Sequence, residues 1–167
     1  MGLGRLWAPW RSAYIAQARR GRQRCVFCDA KRSRDDRQVH VLARGRHSFV
    51  LLNRYPYQTG HLMIAVYRHV GDLSQLTRQE SSELLRVAAQ MTQRLTQALH
   101  PDGFNIGINL GRSAGAGIPG HLHLHVVPRW IGDTNFMAVT SETKVLSESL
   151  DAMYERLARV RARGRSS

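Results

Sequence analysis

Residues 121–127 alternate strictly between histidine and an apolar residue, reading His-Leu-His-Leu-His-Val-Val. Such alternation is typical of a β-strand with one buried face, because successive side chains of a strand point to opposite sides. The apolar residues are then expected in the core and the histidines together on the other face. Packing alone gives no reason to place three titratable imidazoles side by side, so this strand is predicted to carry function. The histidines are His121, His123 and His125.

Two chemistries use a face of this kind. Histidines can bind a catalytic zinc that keeps one position open for water. Alternatively, a neutral imidazole can attack phosphorus and form a covalent nucleotidyl-histidine. Residues 109–117 (Asn-Leu-Gly-Arg-Ser-Ala-Gly-Ala-Gly) precede the strand, and such small residues let backbone N–H groups approach phosphate oxygens. The loop favours phosphorus chemistry, and a three-histidine metal hydrolase stays as an alternative.

The remaining periodicity predicts an α+β protein, with an antiparallel sheet of about five strands, one long helix and a C-terminal helix. The long helix begins at a capping box formed by Thr77 and Glu80 and ends near His100-Pro101. The C-terminal helix covers about 144–161. Predicted strands cover 39–43, 48–53, 62–66, 104–110 and 121–127.

Length and composition fit one soluble domain. The 167 residues are 43% hydrophobic, and no apolar run approaches the roughly 20 residues that span a bilayer. Residues 6–11 (Leu-Trp-Ala-Pro-Trp-Arg) lack the apolar stretch of a secretory signal. We therefore expect a cytoplasmic protein with no membrane partner.

The net charge of +13 lies at the two ends of the chain. Residues 1–47 hold twelve basic and three acidic side chains, residues 155–167 hold five and one, and residues 48–154 hold eight of each. Solvated basic flanks are the favoured interpretation, and nucleic acid is not an expected partner. A basic nucleotide-binding or nucleic-acid-binding module is the alternative from another functional class, and steep salt dependence would reveal it.

Two cysteines stand in a C-x-x-C spacing at Cys25 and Cys28. Two cysteines cannot form a disulfide framework, which indicates a reduced compartment. The pair is either two free thiols, a redox pair or half of a tetrahedral zinc site. A thioredoxin-like motif should open a helix in a βαβ unit, and no helix is predicted here.

The histidine strand matches the H-x-H-x-H-φ-φ signature, in which φ is apolar, and the chain thereby resembles the histidine-triad (HIT) superfamily. The resemblance covers roughly 25–140 and includes the Gly-His segment at 60–64 and the strand that leads to Asn109. The chain also resembles the bacterial branch that includes diadenosine-tetraphosphate phosphorylases. The segments that carry this second resemblance are 6–11, 53–57, 109–111 and 128–136.

This resemblance implies a division into an N-terminal aromatic and basic arm (1–24), a HIT domain (25–155) and a basic tail (156–167). It implies cleavage of dinucleoside polyphosphates, with His123 as the nucleophile that attacks the α-phosphorus. His125 would lie beside the phosphate, and His61 would support the triad from the neighbouring strand. A homodimer is also implied.

The resemblance also assigns substrate contacts. Asn53 would meet the ribose, and Asn109 with the backbone around Gly115 and Gly117 would hold phosphate oxygens. Phosphorylases of this branch carry serine at the position of Gly117, so water and inorganic phosphate both stay open as the second-step acceptor. Trp130 follows the histidine strand and is either a purine-stacking residue or a residue that closes the edge of the core.

Zinc-bearing members of the superfamily pair a C-x-x-C with two histidines. At the matching positions of this chain the ligands would be Cys25, Cys28, His69 and His121. Two cysteines and two histidines close the coordination shell, so the implied zinc is structural. A nucleoside phosphoramidase, which uses the same His123 chemistry on a P–N bond, is the alternative within the superfamily.

Overall fold

A five-stranded antiparallel sheet forms the centre of the molecule, in a computed structural model that describes residues 24–133 and 148–160. The strand order is β1-β2-β3-β5-β4, and all four strand pairs are antiparallel. Together with the α-helices of the chain, this sheet confirms the predicted α+β class. The strands are β1 (Val41–Arg44), β2 (Ser48–Leu52), β3 (Leu62–Val66), β4 (Gly103–Ile108) and β5 (His123–Arg129).

The described residues form three α-helices and one 3-10 turn at Leu73–Gln75. The longest helix begins at the predicted capping box, in which Thr77 and Glu80 each accept a hydrogen bond from the other's backbone N–H. A hydrogen bond from Arg68 lowers the pKa of Glu80 to about 2, so this carboxylate stays charged. The helices are α1 (Val26–Arg32), α2 (Arg78–Leu99) and α3 (Leu150–Arg159).

The two faces of the sheet are covered by different helices. On one face, α2 and α3 pack against Leu122, Leu124 and Val126, which are all buried as the alternation predicts. On the other face, α1 inserts Phe27 and Ala30 over apolar side chains of β1, β2 and β3. The histidines of β5 lie on this second face, so α1 is the element that borders them.

Buried Glu83 ties α2 to the turn between β1 and β2. One of its carboxylate oxygens accepts hydrogen bonds from the backbone N–H groups of His47 (2.9 Å) and Ser48 (2.8 Å). The Ser48 hydroxyl donates to the same oxygen at 2.8 Å. Three donors from the hairpin therefore depend on one carboxylate.

Two predictions need correction. The pair of cysteines does open a helix, α1, although no βαβ unit is present in the described part of the chain. The fifth strand begins at His123 and not at His121, because the ladder with β3 ends where Ala65 pairs with His123. His121 is nevertheless fully buried, since its ring reaches back to the end of β3.

Several predicted segments lie partly outside the described residues. They are residues 1–23 of the arm, the end of segment 128–136, the beginning of the helix predicted for 144–161 and residues 161–167 of the tail. Helix α3 continues past the predicted start of the tail at 156, since Leu157 is fully buried in the core. Within the described ranges, none of the helices combines the length and apolar character needed to cross a bilayer.

Candidate functional site

Three predicted site histidines meet where β3 begins beside β5. His61 directly precedes β3, and the ladder between the two strands places Met63 opposite His125 and Ala65 opposite His123. The ring centroids of His61 and His125 are 5.0 Å apart, and those of His123 and His125 are 4.8 Å apart. All three side chains are at least nine-tenths buried. The sheet therefore brings together His61, His123 and His125, and these three residues are called the triad in the description of the structure.

The backbone fixes the tautomer of His123. Its Nδ1 lies 2.8 Å from the carbonyl oxygen of His121, and a carbonyl can only accept, so Nδ1 carries the proton. The lone pair is then on Nε2. Burial lowers the pKa of His123 below its ordinary 6.5, which favours the neutral form. A neutral imidazole with a free Nε2 lone pair is the form that can act as a nucleophile.

The tautomer of His61 is fixed by a backbone donor, whereas that of His123 is fixed by a backbone acceptor. The backbone N–H of Tyr57 donates to His61 Nδ1 at 3.0 Å, which requires that nitrogen to be an acceptor. The Asn53 amide nitrogen also faces His61 Nδ1, at 3.3 Å, because the Asn53 side-chain oxygen accepts from the Tyr55 N–H. His61 therefore carries its proton on Nε2.

The proton of His61 determines what His125 presents. His61 Nε2 lies 2.8 Å from His125 Nδ1 and donates to it, which leaves the proton of His125 on Nε2. Burial, with a smaller effect from nearby His123, lowers the pKa of His125 to about 4. At neutral pH His125 is uncharged and offers an N–H group, whereas neighbouring His123 offers a lone pair.

Open space borders His125 on the side of the edge strand. Gly107 of β4 pairs with His125, and a Cβ added to Gly107 would meet no atom of the described residues within 4 Å. A bound molecule can reach the histidines from that side.

The glycine loop between β4 and β5 has two residues with positive φ, Gly111 (75°) and Gly115 (90°). The Gly115 N–H donates to the Arg112 carbonyl, and the Ala116 N–H donates to the Gly111 carbonyl. These two N–H groups therefore hold the loop in its own shape. The phosphate contacts of Asn109, Gly115 and Gly117 stay predictions.

The structure separates Trp130 from the histidines. It follows β5 at the far end, and seven strand residues at about 3.3 Å each place it roughly 23 Å along the chain from His123. Its indole N–H donates to the His100 carbonyl beyond the end of α2. The purine-stacking and core-edge roles of Trp130 both stay predictions. Asn53, in contrast, lies at the triad and contacts His61.

The four predicted metal ligands come together beside the triad. Their ligand atoms all lie within 4.8 Å of one another. Cys25 and Cys28 lie at the start of α1, His69 follows β3, and His121 lies two residues before β5. Sulfur-to-nitrogen distances are 3.3 Å for Cys25 to His121 and 3.2 Å for Cys28 to His69. These match the edge of about 3.5 Å expected for a tetrahedral zinc site with two sulfur and two nitrogen ligands.

His121 is oriented for metal binding. Its Nε2 donates to the Val66 carbonyl at 2.8 Å, so Nδ1, which faces the cysteines, has the free lone pair. A hydrogen bond of this kind is the usual support of a metal-binding histidine. The four residues could therefore hold a metal ion. Within the described residues, His121 groups with the two cysteines and His69 and not with His123 and His125, so the geometry does not favour a metal ion bound by the three histidines of the strand.

Two aromatic contacts of the triad were not predicted from the sequence. The Phe27 ring lies 5.1 Å from His121 and 4.7 Å from His123, between the metal-ligand cluster and the triad. The Tyr57 ring lies 4.8 Å from His61 and 5.8 Å from His125. In the sequence, Phe27 lies inside the C-x-x-C and Tyr57 lies four residues before His61. Neither position indicates which ring the side chain contacts.

Comparisons with known proteins agree with this geometry. Residues 35–130 match the family model of the HIT domain. The chain is 40% identical over 155 residues to an AP-4-A phosphorylase of Mycobacterium tuberculosis, a match that covers 89% of this chain and 79% of that protein. It is 29% identical over 93 residues to a bis(5'-adenosyl)-triphosphatase of Dictyostelium discoideum, covering 56% of this chain and 62% of the other.

Among solved structures, a zinc-bound histidine triad family protein from Mycobacterium smegmatis superposes with a TM-score of 0.63 at 23% identity. The superposition covers 80% of this chain and 90% of that one. At this identity the similarity shows the shared fold.

Proposed function

The chain belongs to the HIT domain family, and on that basis we propose that it is a nucleotidyl hydrolase or transferase that cleaves dinucleoside polyphosphates through a covalent intermediate on His123. The observation that carries the proposal is the locked tautomer of His123, whose Nδ1 donates to the His121 carbonyl and whose Nε2 keeps its lone pair. The names of the Mycobacterium tuberculosis and Dictyostelium discoideum relatives support this substrate class.

In the first step, His123 Nε2 attacks the α-phosphorus. A P–N bond forms, and the P–O bond to the remaining nucleoside polyphosphate breaks, with the electron pair leaving on that oxygen. His125 lies beside the nucleophile and offers its Nε2–H to the departing oxygen. Because His125 is neutral, it donates a hydrogen bond and stabilises developing charge without giving up its proton.

In the second step, water or inorganic phosphate attacks the nucleotidyl-histidine, and the P–N bond breaks with its electron pair returning to Nε2. The acceptor's proton goes to solvent or to a phosphate oxygen of the product. A hydrolase would release a nucleoside monophosphate, and a phosphorylase would release a nucleoside diphosphate. Phosphorylases of this branch carry serine at the position of Gly117, which has no hydroxyl group. The proposal therefore keeps both water and inorganic phosphate as acceptors.

The same proposal includes a structural zinc ion held by Cys25, Cys28, His69 and His121. The donor set of two thiolates and two imidazoles suits zinc and fills a tetrahedral shell. These residues join α1 to the ends of β3 and β5, so the metal would stabilise the wall of the site. The free cysteines also support a reduced, cytoplasmic location.

A homodimer is also proposed. Strand β4 is an edge of the sheet, so one side of its backbone has no neighbouring strand in the described chain. Its residue Ile106 is 48% exposed and, with Phe104, lines a groove against α2. A second copy that pairs its own β4 with this edge would cover both features.

The experiment is to incubate the protein with diadenosine tetraphosphate, with and without inorganic phosphate, and to identify the products beside a His123→Ala variant. ADP plus ATP, formed only with phosphate and lost in the variant, would establish a phosphorylase. AMP plus ATP without phosphate would establish a hydrolase. Absence of turnover in both conditions would overturn the proposed function.

A further inference from the structure

The pair formed by His61 and His125 has two possible arrangements of its protons. In one, His61 Nε2–H donates to His125 Nδ1, and His125 keeps its own proton on Nε2. In the other, His125 Nδ1–H donates to His61 Nε2, and His125 has a lone pair where the departing oxygen would lie. Only the first arrangement offers a hydrogen-bond donor to that oxygen.

Tyr57 contacts this pair in two ways. Its backbone N–H donates to His61 Nδ1 at 3.0 Å and thereby excludes the second arrangement, which needs a proton on that same nitrogen. Its ring is inclined by 32° to the ring of His61 and by 30° to the ring of His125, with centroids 4.8 Å and 5.8 Å away. One residue thus contacts both members of the pair.

The Tyr57 ring covers the imidazoles of His61 and His125. His61 has no exposed surface and His125 is 9% exposed, whereas Tyr57 itself is 42% exposed. The ring therefore lies between solvent and the two imidazoles. A water molecule that reached the hydrogen bond from His61 to His125 would compete for both nitrogens and would let His125 take a second proton on Nδ1.

We propose that Tyr57 is a positioning residue, which holds His61 and His125 in the arrangement that offers the His125 N–H to the leaving group and keeps water from their hydrogen bond. The inference rests on the proposed function. Tyr57 acts through the histidines, so its loss should lower kcat more than it raises KM for a dinucleoside polyphosphate.

The aromatic ring is tested with Tyr57→Leu, which keeps an apolar side chain and the backbone N–H but removes the ring. We expect kcat for diadenosine tetraphosphate to fall about tenfold, less than the roughly 10²–10⁴-fold that a proton-transferring group itself contributes, while KM changes by less than about twofold. Tyr57→Phe restores the ring and should rescue kcat. Leu85→Ala, at a 68% exposed side chain of α2, is the control and should leave kcat unchanged.

The pH profile gives a second readout. The titratable rings that contact His125 in the described chain are His61, His123 and Tyr57. With the cover removed, water stabilises the charged form of His125, so its titration moves up toward the ordinary 6.5. The ratio of wild-type to Tyr57→Leu kcat should therefore grow as pH falls from about 8 to about 5.5.

NMR of imidazole nitrogens tests the arrangement without turnover. In the wild type, His125 should carry its proton on Nε2. In Tyr57→Leu, whose backbone N–H still holds His61, the pKa of His125 should rise because water reaches its ring. Unchanged His125 resonances with unchanged kcat would overturn the inference, and so would a loss confined to KM, which would make the ring a nucleotide contact. If the wild type cleaves no dinucleoside polyphosphate, the proposed function fails, and the NMR result still decides the role of Tyr57.

Discussion

At the scale of single residues, the site works because each imidazole has one of its nitrogens fixed by the chain. Backbone groups fix His123 through the His121 carbonyl and His61 through the Tyr57 N–H. The consequence is a lone pair on His123 beside an N–H on His125. His123 and His125 have the same side chain, yet one presents a lone pair and the other an N–H group. The backbone groups that cause this difference cannot be identified from the sequence pattern.

The buried state of His125 has a consequence for stability. Its pKa is about 4 in the fold and about 6.5 when unfolded, so below pH 6.5 the unfolded chain binds a proton that the native chain does not. Stability is then lost as pH falls, by about 2 kcal/mol between pH 7.5 and pH 5 from this residue. Urea unfolding at the two pH values should show a smaller loss in His125→Asn than in the wild type.

An equal pH dependence in both proteins would contradict a depressed pKa at His125. The comparison with the wild type is needed because burial also lowers the pKa of His121 and His123, and these residues contribute a loss of the same sign in both proteins.

At the scale of secondary structure elements, patterns among neighbouring residues predicted most of the fold. Features that depend on contacts between residues far apart in sequence were harder to predict. The faces of β5 and the start of α2 follow from alternation and from a capping box, which involve neighbouring residues. Helix α1 was missed because its seven residues bury only Phe27 and Ala30, too few to show a helical period. The four residues of the metal-ligand cluster lie up to 96 positions apart, so only the family resemblance identified them as a set.

Substrate contacts were the least predictable part of the site. Trp130 is close to the histidines in sequence, but the extended strand β5 separates it from His123, so sequence proximity alone does not decide whether it contacts substrate. Tyr57 lies in an irregular connection, where spacing does not determine which way a ring points. The glycine loop between β4 and β5 uses part of its backbone for its own turns, and its predicted phosphate contacts stay untested.

Helix α2 should depend on Glu83 for its attachment to the sheet. Glu83→Ala leaves the N–H groups of His47 and Ser48 and the Ser48 hydroxyl without their acceptor, in a buried position. We expect the free energy of unfolding to fall by about 3 kcal/mol, measured by urea denaturation. Gln79→Ala, at an exposed position one turn earlier on α2, should change it by less than about 0.5 kcal/mol. Equal stability of the two variants would show that the carboxylate does not anchor the helix.

At the scale of the whole molecule, the metal-ligand cluster and the triad are parts of one wall. His121 offers its ring to the cysteines and its carbonyl to His123, and Phe27 contacts both histidine rings. Loss of the metal should therefore loosen α1 and the strand that carries the nucleophile together.

Protein purified without chelator should contain about one zinc ion per chain, because four ligands close one shell. Cys25→Ser should lower that content and reduce the melting temperature by about 5 °C or more, which corresponds to roughly 2 kcal/mol for a domain of this size. Elemental analysis and thermal unfolding check both values. A zinc content near zero, with an unchanged melting temperature in the variant, would refute the metal site.

The exposed edge of β4 predicts the oligomeric state. Ile106→Lys places a charge on the face that a second copy would cover, so light scattering should find a monomer where the wild type is a dimer. Leu73→Lys, at a similarly exposed residue of the 3-10 turn, should remain dimeric. A wild type that is monomeric at micromolar concentration would contradict the proposed interface.

During turnover, His123 should become covalently nucleotidylated. The most direct measurement is intact-protein mass spectrometry of the enzyme quenched during turnover of diadenosine tetraphosphate, followed by mapping of the modified peptide. The peptide that contains His123 should gain the mass of one adenylyl group, and this adduct should be absent in His123→Ala. Undiminished turnover by His123→Ala, or an adduct on a different residue, would contradict it.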